Sequence, residues 1–442
     1  MHLNHGLRST LLGSIEANRL VLLCGAGLSI PAPSNLLSAA GVSRACFDKW
    51  LPVEPLLDPA LREDVDRLAG HFYAAGQFES VFIARLVPWN DLVGDSNEGH
   101  AAVADLLITR SAFAALSANF DLLIEQWSQQ RKVAMRGALN GQEAVNFSSD
   151  TSPLVKFHGC LHREREKTLW TAAQLGEAAI SERVSSCSDW LRLSLPGKDL
   201  VVVGFWTDWG YLNDVLKDAL SLASASSVTV IDILDGPALE AKAPDLWRTL
   251  HDLSTSFTHV QASGTEVLEE LRTGFSQVWA RKFYHLGKPL IEQEGKAYPL
   301  IGADPGLLTG AELYHLRRDA EGVPSSRAAL KKEPGPEAAQ AALAHLLLMD
   351  AGAARRGVWF ERGGKTVRVV QGGGQGLATV RERYREPPGG PEPDLVICAG
   401  AAEFGVPGRL IASGYGASTM RPAPGGGAKW LTLEEARGEL SI

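Results

Sequence analysis

The chain has 442 residues, 45% of them hydrophobic and 21% charged, which is the composition of a globular protein long enough for two or three domains. Its net charge of -8 argues against non-specific binding of nucleic acid by the surface as a whole. The five cysteines include no CxxC pair, which excludes a zinc ribbon and a disulfide framework and is typical of a reducing cytosol.

Neither the N-terminus nor the interior contains a membrane or export signal. The first ten residues, MHLNHGLRST, lack an apolar core of signal-peptide length, and no apolar run approaches the ~20 residues of a membrane span. We therefore expect a cytoplasmic protein without membrane contact.

From the start to about residue 285, short apolar runs alternate with helical stretches. The runs are RLVLLCGAG, AFAALSANFD, SPLVKFHG, DLVVVGFW, SVTVID and FTHVQASG, and the helical stretches include NEGHAAVADLLIT and WGYLNDVLKDALSLAS. This alternation predicts a doubly wound parallel, Rossmann-like α/β sheet in residues 1–285. Residues 41–95 are mostly helical and too long for a simple crossover, so we expect a helical insertion there.

Residues 286–442 no longer alternate apolar runs with helical stretches, and their pattern predicts a smaller α+β domain. Pro334 and Pro336 precede a helical stretch, GVWFERGGKTVRVV reads as a hairpin turning at Gly363-Gly364, and DLVICAG reads as a strand between glycine-rich and proline-rich loops. The hairpin carries aromatic residues of exposed type, Trp359 and Phe360, beside several arginines and lysines. We expect an assembly or sensing domain, although a small stabilising appendage explains the same features.

Four of the apolar runs end in polar or glycine-rich turns, GAGLS, SANFD, KFHG and GFWTDW. Ligands of open parallel sheets bind outside the carboxyl ends of the strands. If the four turns share one edge, they line one pocket.

Each turn by itself has a functional and a purely structural interpretation. Gly25 and Gly27 allow a pyrophosphate to approach the backbone, yet a lone GxG also makes a tight turn, and Pro31 stands where a third glycine would open a helix. Asn119 suits a ribose hydroxyl or an ordered water, or else it forms an Asx-turn, and for Asp121 the favoured role is a helix cap.

The last two turns are open to the same two interpretations. His158 has the residue type of a general base near neutral pH, although a lone histidine is more often satisfied by backbone hydrogen bonds, as we expect for His100 and His162. Gly204 lets backbone pass close to a ligand, with Asp208 starting the next helix, or the two form a turn and a cap.

Taken in order, these residues resemble the sirtuin family, specifically its divergent bacterial branch of antiphage NAD hydrolases. That branch has GAGxS, an NxD turn, KxHG and a late GxxxD, which are matched by Gly25-Ala26-Gly27-Leu28-Ser29, Asn119-Phe120-Asp121, Lys156-Phe157-His158-Gly159, and Gly204 with Asp208. His100 before AAVADLL and the closing ASGTEVLEELR also fit. The resemblance covers roughly residues 5 to 280.

The resemblance implies a role for each matching position. Gly25, Ala26, Gly27 and Ser29 would contact the NAD phosphates, and Asn119 and His158 would be catalytic. It also assigns Asp121, Gly204, Asp208 and Asp232 to the NAD site, with Gly204 and Asp232 near the adenosine half.

Departures from the deacetylase branch bear on the reaction. The chain lacks the two zinc-binding CxxC pairs, IPAPSN lacks the Phe-Arg pair, and Ala118 replaces the usual glutamine. The resemblance therefore implies an NAD glycohydrolase of antiphage defence that uses NAD as substrate and no metal. A zinc-free deacylase or ADP-ribosyltransferase, a non-catalytic NAD or ADP-ribose module, and an unrelated nucleotide-binding domain stay open.

Related enzymes also suggest partners. We expect a homo-oligomer, with or without a separately encoded DNA-translocating ATPase of the HerA type or a nucleic-acid-guided partner.

Overall fold

The computed structural model describes residues 2–147, 150–207, 213, 216–217, 220, 225–253, 256–300, 302–306, 308–322, 330–384, 393–402 and 427–442. Two compact units divide the chain, one of Met1–Gln130 with Ala134–Leu271 and the other of Arg131–Val133 with Arg272–Ile442. The division falls within a 30-residue helix, Gly264–Gln293, which also contains the boundary expected near residue 285.

The described part of the first unit contains a six-stranded parallel sheet. Its strands are β1 (Leu20–Cys24), β2 (Ala112–Ser117), β3 (Leu154–Val155), β4 (Asp199–Val203), β5 (Ser227–Asp232) and β6 (Phe257–Gln261), in the order β3-β2-β1-β4-β5-β6. This order reverses between β1 and β4, as in the Rossmann fold, and confirms the predicted fold class. Every residue of β1 and β4 is buried, because helices cover both faces of the sheet.

Helices flank this sheet and fill the segment between β1 and β2. They are α1 (His5–Glu16), α2 (Ala39–Trp50), α3 (Val65–Ala74), α4 (Glu98–Ile108), α5 (Leu123–Gln130), α6 (Gly141–Asn146), α7 (Ala178–Ser194), α8 (Gly236–Lys242), α9 (Pro244–Asp252) and α10 (Gly264–Gln293). The predicted helix in WGYLNDVLKDALSLAS lies largely outside the described residues.

The segment expected to be a helical insertion contains α2, α3, a π-helical stretch from Phe78 to Leu86 and short 3-10 turns. It has an apolar cluster of its own, built around Phe47, Phe72 and Phe82, and Trp170 from outside the insertion packs into it. The insertion is therefore a packed body rather than a loose crossover.

The second unit contains a mixed sheet of five described strands. They are β7 (Ala354–Arg356), β8 (Trp359–Arg362), β9 (Lys365–Gln371), β10 (Leu395–Ala399) and β11 (Lys429–Thr432), in the order β11-β10-β9-β8-β7, with helices α11 (Gly310–Glu321), α12 (Ala339–Asp350), α13 (Leu377–Arg383) and α14 (Leu433–Leu440). Strands β7, β8 and β9 are antiparallel neighbours, whereas β9, β10 and β11 run parallel. The predicted hairpin turns at Gly363 and Gly364, whose φ angles of 58° and 75° suit a two-residue turn.

The side chains of the hairpin face inward more than expected. Phe360 is fully buried in the core of the second unit, so its description as an exposed aromatic was wrong. Arg355 donates to Tyr284 Oη (2.7 Å), Arg362 donates to the carbonyls of Leu440 and Ser441, and other basic side chains here pair with acidic ones. These contacts link the hairpin to other parts of the second unit.

Two negative findings apply to the described residues. No described helix is long and apolar enough to cross a membrane. In the same residues, no group of three or more His, Cys, Asp or Glu side chains is arranged to hold a metal ion.

Candidate active site

The turns singled out in the sequence leave the sheet at one edge. Cys24 pairs with Ser117 of β2 and with Val203 of β4, and Leu116 pairs with Val155 of β3, so the carboxyl ends of these four strands are level. Since the strands are parallel, the turns that follow them lie side by side.

The first turn packs against the turn after β4. Gly25 N–H donates to Val203 O (3.1 Å) and Gly27 N–H donates to Gly204 O (2.9 Å). A Cβ atom on Gly25 would lie 2.6 Å from Gly204 O, and Gly204 itself has a φ of 56°, so glycine is required on both sides of the contact. The glycines thus permit two turns to touch, a reason that differs from the expected approach of a pyrophosphate.

The same turn continues as one 3-10 turn, Ala26–Leu28, and the next helix begins only at Ala39. The N–H groups of Leu28 and Ser29 donate to the carbonyls of Gly25 and Ala26. The turn is therefore closed on itself rather than opening a helix, as the position of Pro31 suggested.

Ser29 is the centre of a buried hydrogen-bond network. Its Oγ donates to Asp121 Oδ2 (2.8 Å), accepts from Asn119 Nδ2 (3.1 Å) and lies 3.0 Å from His100 Nε2. Because His100 Nδ1 accepts the N–H of Asn97 (3.2 Å), the ring proton is on Nε2 and points at Ser29. One donated and two accepted bonds use the full capacity of the hydroxyl, so Ser29 acts as a fixed node within the protein.

The network orients Asn119. Its amide nitrogen donates to Gly25 O (3.1 Å) as well as to Ser29 Oγ, which uses both amide hydrogens. Its backbone N–H donates to Ser117 Oγ (3.1 Å), so main chain and side chain are both fixed. What this half-buried residue offers a ligand is its carbonyl oxygen, an acceptor for a ribose hydroxyl or a water molecule.

Asp121 has the capping role that was favoured for it and a second one besides. Its Oδ1 accepts the N–H of Leu123 (3.1 Å) at the start of α5, while Oδ2 accepts from Ser29. Only 8% of its surface is exposed, so the carboxylate mainly links the first two turns.

His158 lies at the same edge in an apolar environment, with 3% of its surface exposed. Burial and then the cation of Arg183 lower its pKa, a hydrogen bond with the backbone of Ala118 opposes both, and the resulting pKa is about 3. The imidazole is therefore neutral at physiological pH, as a proton acceptor must be. Its ring lies between Phe120 (centroids 6.1 Å apart) and Phe157 (5.0 Å).

Lys156 fixes the turn that carries His158. The ammonium forms an ion pair with Glu125 Oε1 (3.0 Å) and donates to the carbonyl of Asp121, and the side chain is 1% exposed. Burial lowers its pKa, but Glu125 and then Asp121 raise it by more, so the pKa is raised overall and the group is charged.

The remaining predicted residues lie towards β5. Asp232 ends β5, where its carboxylate accepts the N–H of Leu234 (2.9 Å) and its carbonyl accepts that of Ala262. Asp208 lies outside the described residues. Direct contacts join Gly25, Gly27, Ser29, Asn119, Asp121 and Gly204, and His158 is linked to them through Ala118 and Phe120.

Sequence reasoning missed three residues of this site. His100 was assigned backbone partners only, yet its second nitrogen bonds Ser29. The roles of Lys156 as a buried ion and of Arg183 as a neighbour of His158 were not predicted either. The KxHG motif was the one available signal for Lys156, and a buried lysine needs a counterion.

The site lies largely within a recognisable domain. Residues 114–251 match the SIR2-like domain. The match spans Asn119, Asp121, His158, Gly204 and Asp232, and the GAGLS turn precedes it. No curated protein matches the chain.

Solved Sir2 structures are similar to the chain at low identity. A Sir2 homologue in complex with NAD is 13% identical, with 60% of this chain and 91% of that chain covered and a TM-score of 0.32. A mutant of a Sir2 homologue with ADP-ribose is 13% identical, covering 61% and 95% at a TM-score of 0.33, and Sir2 with a p53 peptide and NAD+ is 12% identical, covering 60% and 97% at 0.32.

The two buried histidines should make the first unit sensitive to acid. Burial lowers the pKa of His100 to about 4 and that of His158 to about 3, from 6.5. As pH falls below about 6.5, the two histidines take up protons in the unfolded chain before they do so in the folded one. The free energy of unfolding therefore decreases, by about 2 kcal/mol per histidine at pH 5. Thermal unfolding measured from pH 7 to pH 5 should show this loss.

Two variants, one at a buried and one at an exposed histidine, test whether the buried histidines cause the acid sensitivity. His100→Gln should remove about half of the loss between pH 7 and pH 5, whereas His162→Gln, which changes an exposed imidazole, should leave the loss as in the wild type. Equal pH dependence in all three proteins would contradict the assignment.

Proposed function

We propose that this chain is an NAD glycohydrolase, which cleaves NAD into nicotinamide and ADP-ribose. One observation carries the proposal: the Ser29 network leaves the carbonyl oxygen of Asn119 as the acceptor at the edge where a neutral His158 lies. The SIR2-like domain match and the motif resemblance supply NAD as the ligand.

The proposed reaction needs little from the protein beyond positioning and a proton acceptor. Nicotinamide on ribose is a pyridinium, so the C1′–N bond breaks with its electron pair leaving on a neutral molecule, without a general acid. The transition state resembles an oxocarbenium ion. Asn119 Oδ1 orients the ribose or the water, the water oxygen bonds to C1′, and His158 takes the proton. Water that adds to an oxocarbenium ion becomes strongly acidic, so a weakly basic imidazole suffices.

The rival reactions differ in the acceptor. A deacylase or ADP-ribosyltransferase must bring an acyl-lysine or a protein side chain to C1′, whereas a hydrolase needs only water. A binding module consumes nothing. The ratio of NAD lost to acceptor present therefore separates the three.

Chromatography of NAD incubated with the purified full-length protein tests the proposal. We expect equimolar nicotinamide and ADP-ribose without any added acceptor, and the same rate in a buffer containing EDTA. Intact NAD that nevertheless raises the melting temperature would favour the binding module. NAD loss only when an acylated peptide is present would favour the deacylase.

We propose further that this activity serves antiphage defence by depleting NAD, and that assembly controls it. The support is the motif resemblance, because an unregulated NAD hydrolase would exhaust its own cell. The assembly is with further copies of the chain, or with a partner such as a HerA-type DNA-translocating ATPase. Light scattering and NAD assays with and without the neighbouring gene product test this, and a constitutively active monomer would contradict it.

A further inference from the structure

An aromatic stack stands beside His158. Phe120, between Asn119 and Asp121, lies nearly parallel to the imidazole (centroids 6.1 Å, planes 22° apart). The other neighbour of Phe120 is Trp170, with centroids 4.6 Å apart and planes at 32°. The stack His158–Phe120–Trp170 thus runs from the site into the core of the helical insertion.

Trp170 is firmly held. Its indole N–H donates to Thr168 Oγ1 (2.7 Å) and its backbone N–H to Gln174 Oε1 (2.7 Å). The rings of Phe82 and Trp89 meet it edge-on at 5.7 and 5.9 Å, and 3% of its surface is exposed. These hydrogen bonds and ring contacts fix the position of the Trp170 side chain.

Backbone hydrogen bonds also hold the segment that precedes Trp170 beside Phe120 and His158. Leu161 N–H donates to Phe120 O (2.9 Å), and Leu169 N–H donates to His158 O (2.8 Å). The segment from Leu161 to Trp170 is therefore bonded to the main chain of both ring-bearing residues, and at its end Trp170 packs on Phe120.

We infer that the stack of Phe120 and Trp170 selects the acceptor, by restricting the space beside His158 to a molecule the size of water. This inference rests on the proposed NAD cleavage and names what determines its product. Phe120 reaches the site from the same turn as Asn119, so it is a specificity-determining residue held next to the ribose-orienting one.

The inference predicts which nucleophiles can replace water. An alcohol attacks C1′ through its oxygen, gives up its proton to His158, and yields O-alkyl-ADP-ribose while nicotinamide leaves. In the wild type, the ratio of O-alkyl-ADP-ribose to ADP-ribose should fall steeply from methanol to 2-propanol. A smaller side chain at position 120 should relieve this restriction.

Product ratios from the full-length protein test this. With 2-propanol, Phe120→Ala should raise the ratio of alkylated to free ADP-ribose at least about tenfold, the lower end of the effect of one methylene in an apolar pocket. Trp50→Leu is the matched control: this aromatic packs on Phe72 in the same cluster, and its ratio should equal that of the wild type.

The possible outcomes are distinct. If Phe120→Ala cleaves NAD with the wild-type product ratio, the stack is packing alone and the inference is overturned. If Phe120→Ala does not fold, as judged by thermal unfolding, Trp170→Phe replaces it and should change the ratio in the same direction by a smaller factor; an unchanged ratio overturns the inference. If no protein, wild type included, cleaves NAD, the proposed function itself fails.

Discussion

His158→Phe is expected to lower the rate of NAD cleavage by about 10²–10⁴-fold, the usual contribution of a general base. The phenyl ring fills the same apolar site and keeps the contacts with Phe120 and Phe157 but loses the hydrogen bond with the backbone of Ala118, so the melting temperature should fall by only a few degrees. Steady-state release of nicotinamide measures the first quantity and thermal unfolding the second. Because the pKa of His158 is lowered to about 3, the wild-type rate should also be independent of pH between 5 and 8.

Asn119→Ala completes this test, because it removes the oriented carbonyl while leaving His158 in place. It should also abolish cleavage, with a modest loss of stability from the acceptors left at Gly25 and Ser29. Wild-type turnover in either variant would remove that residue from the mechanism. A rate that rises between pH 6 and 7 would show that another group takes the proton.

The fold of the first unit could be predicted because its central strands, β1 and β4, are fully buried. Runs such as RLVLLCGAG are apolar without alternation, and such runs favour a parallel sheet covered on both faces. The shared edge followed from the parallel arrangement. The length of β3 could not be predicted in this way. SPLVKFHG contains only a two-residue strand, because Lys156 turns towards Glu125 and Asp121.

The site could be predicted only as a set of candidates, since the sequence does not reveal long-range contacts. His100 is 71 positions from Ser29, and no local pattern distinguishes a histidine that bonds its own helix cap from one that also bonds a distant serine. Phe120 and Trp170 are likewise separated in sequence and meet only in the fold.

The second unit shows the same limit. Its hairpin was predictable because two adjacent glycines supply the positive φ angles of the turn. The burial of the hairpin's side chains was not predictable, because it depends on distant residues. Arg362 and Arg368, for example, bond Leu440 and Asp319. The basic residues of the hairpin are therefore divided between contacts within the unit and exposed positions such as Arg356 and Lys365.

Lys156→Met should destabilise the first unit by about 3–5 kcal/mol, the usual cost of leaving one member of a buried ion pair without its counterion. Glu125 is 9% exposed, so its carboxylate would be left in a largely buried site without the ammonium that now pairs with it. The turn that carries His158 would also lose its bond to the carbonyl of Asp121. Chemical denaturation at neutral pH measures the loss.

A double variant separates the ion pair from simple packing. Lys156→Met with Glu125→Met replaces both charges by apolar side chains and should recover most of the stability, since such replacements are often neutral or better. The exposed pair Arg44–Glu63 (2.6 Å) is the control, and Arg44→Met should cost less than about 1 kcal/mol. If the double variant is no more stable than Lys156→Met, the lysine acts through packing or through Asp121, and the cost lies in the turn beside His158 rather than in the buried carboxylate.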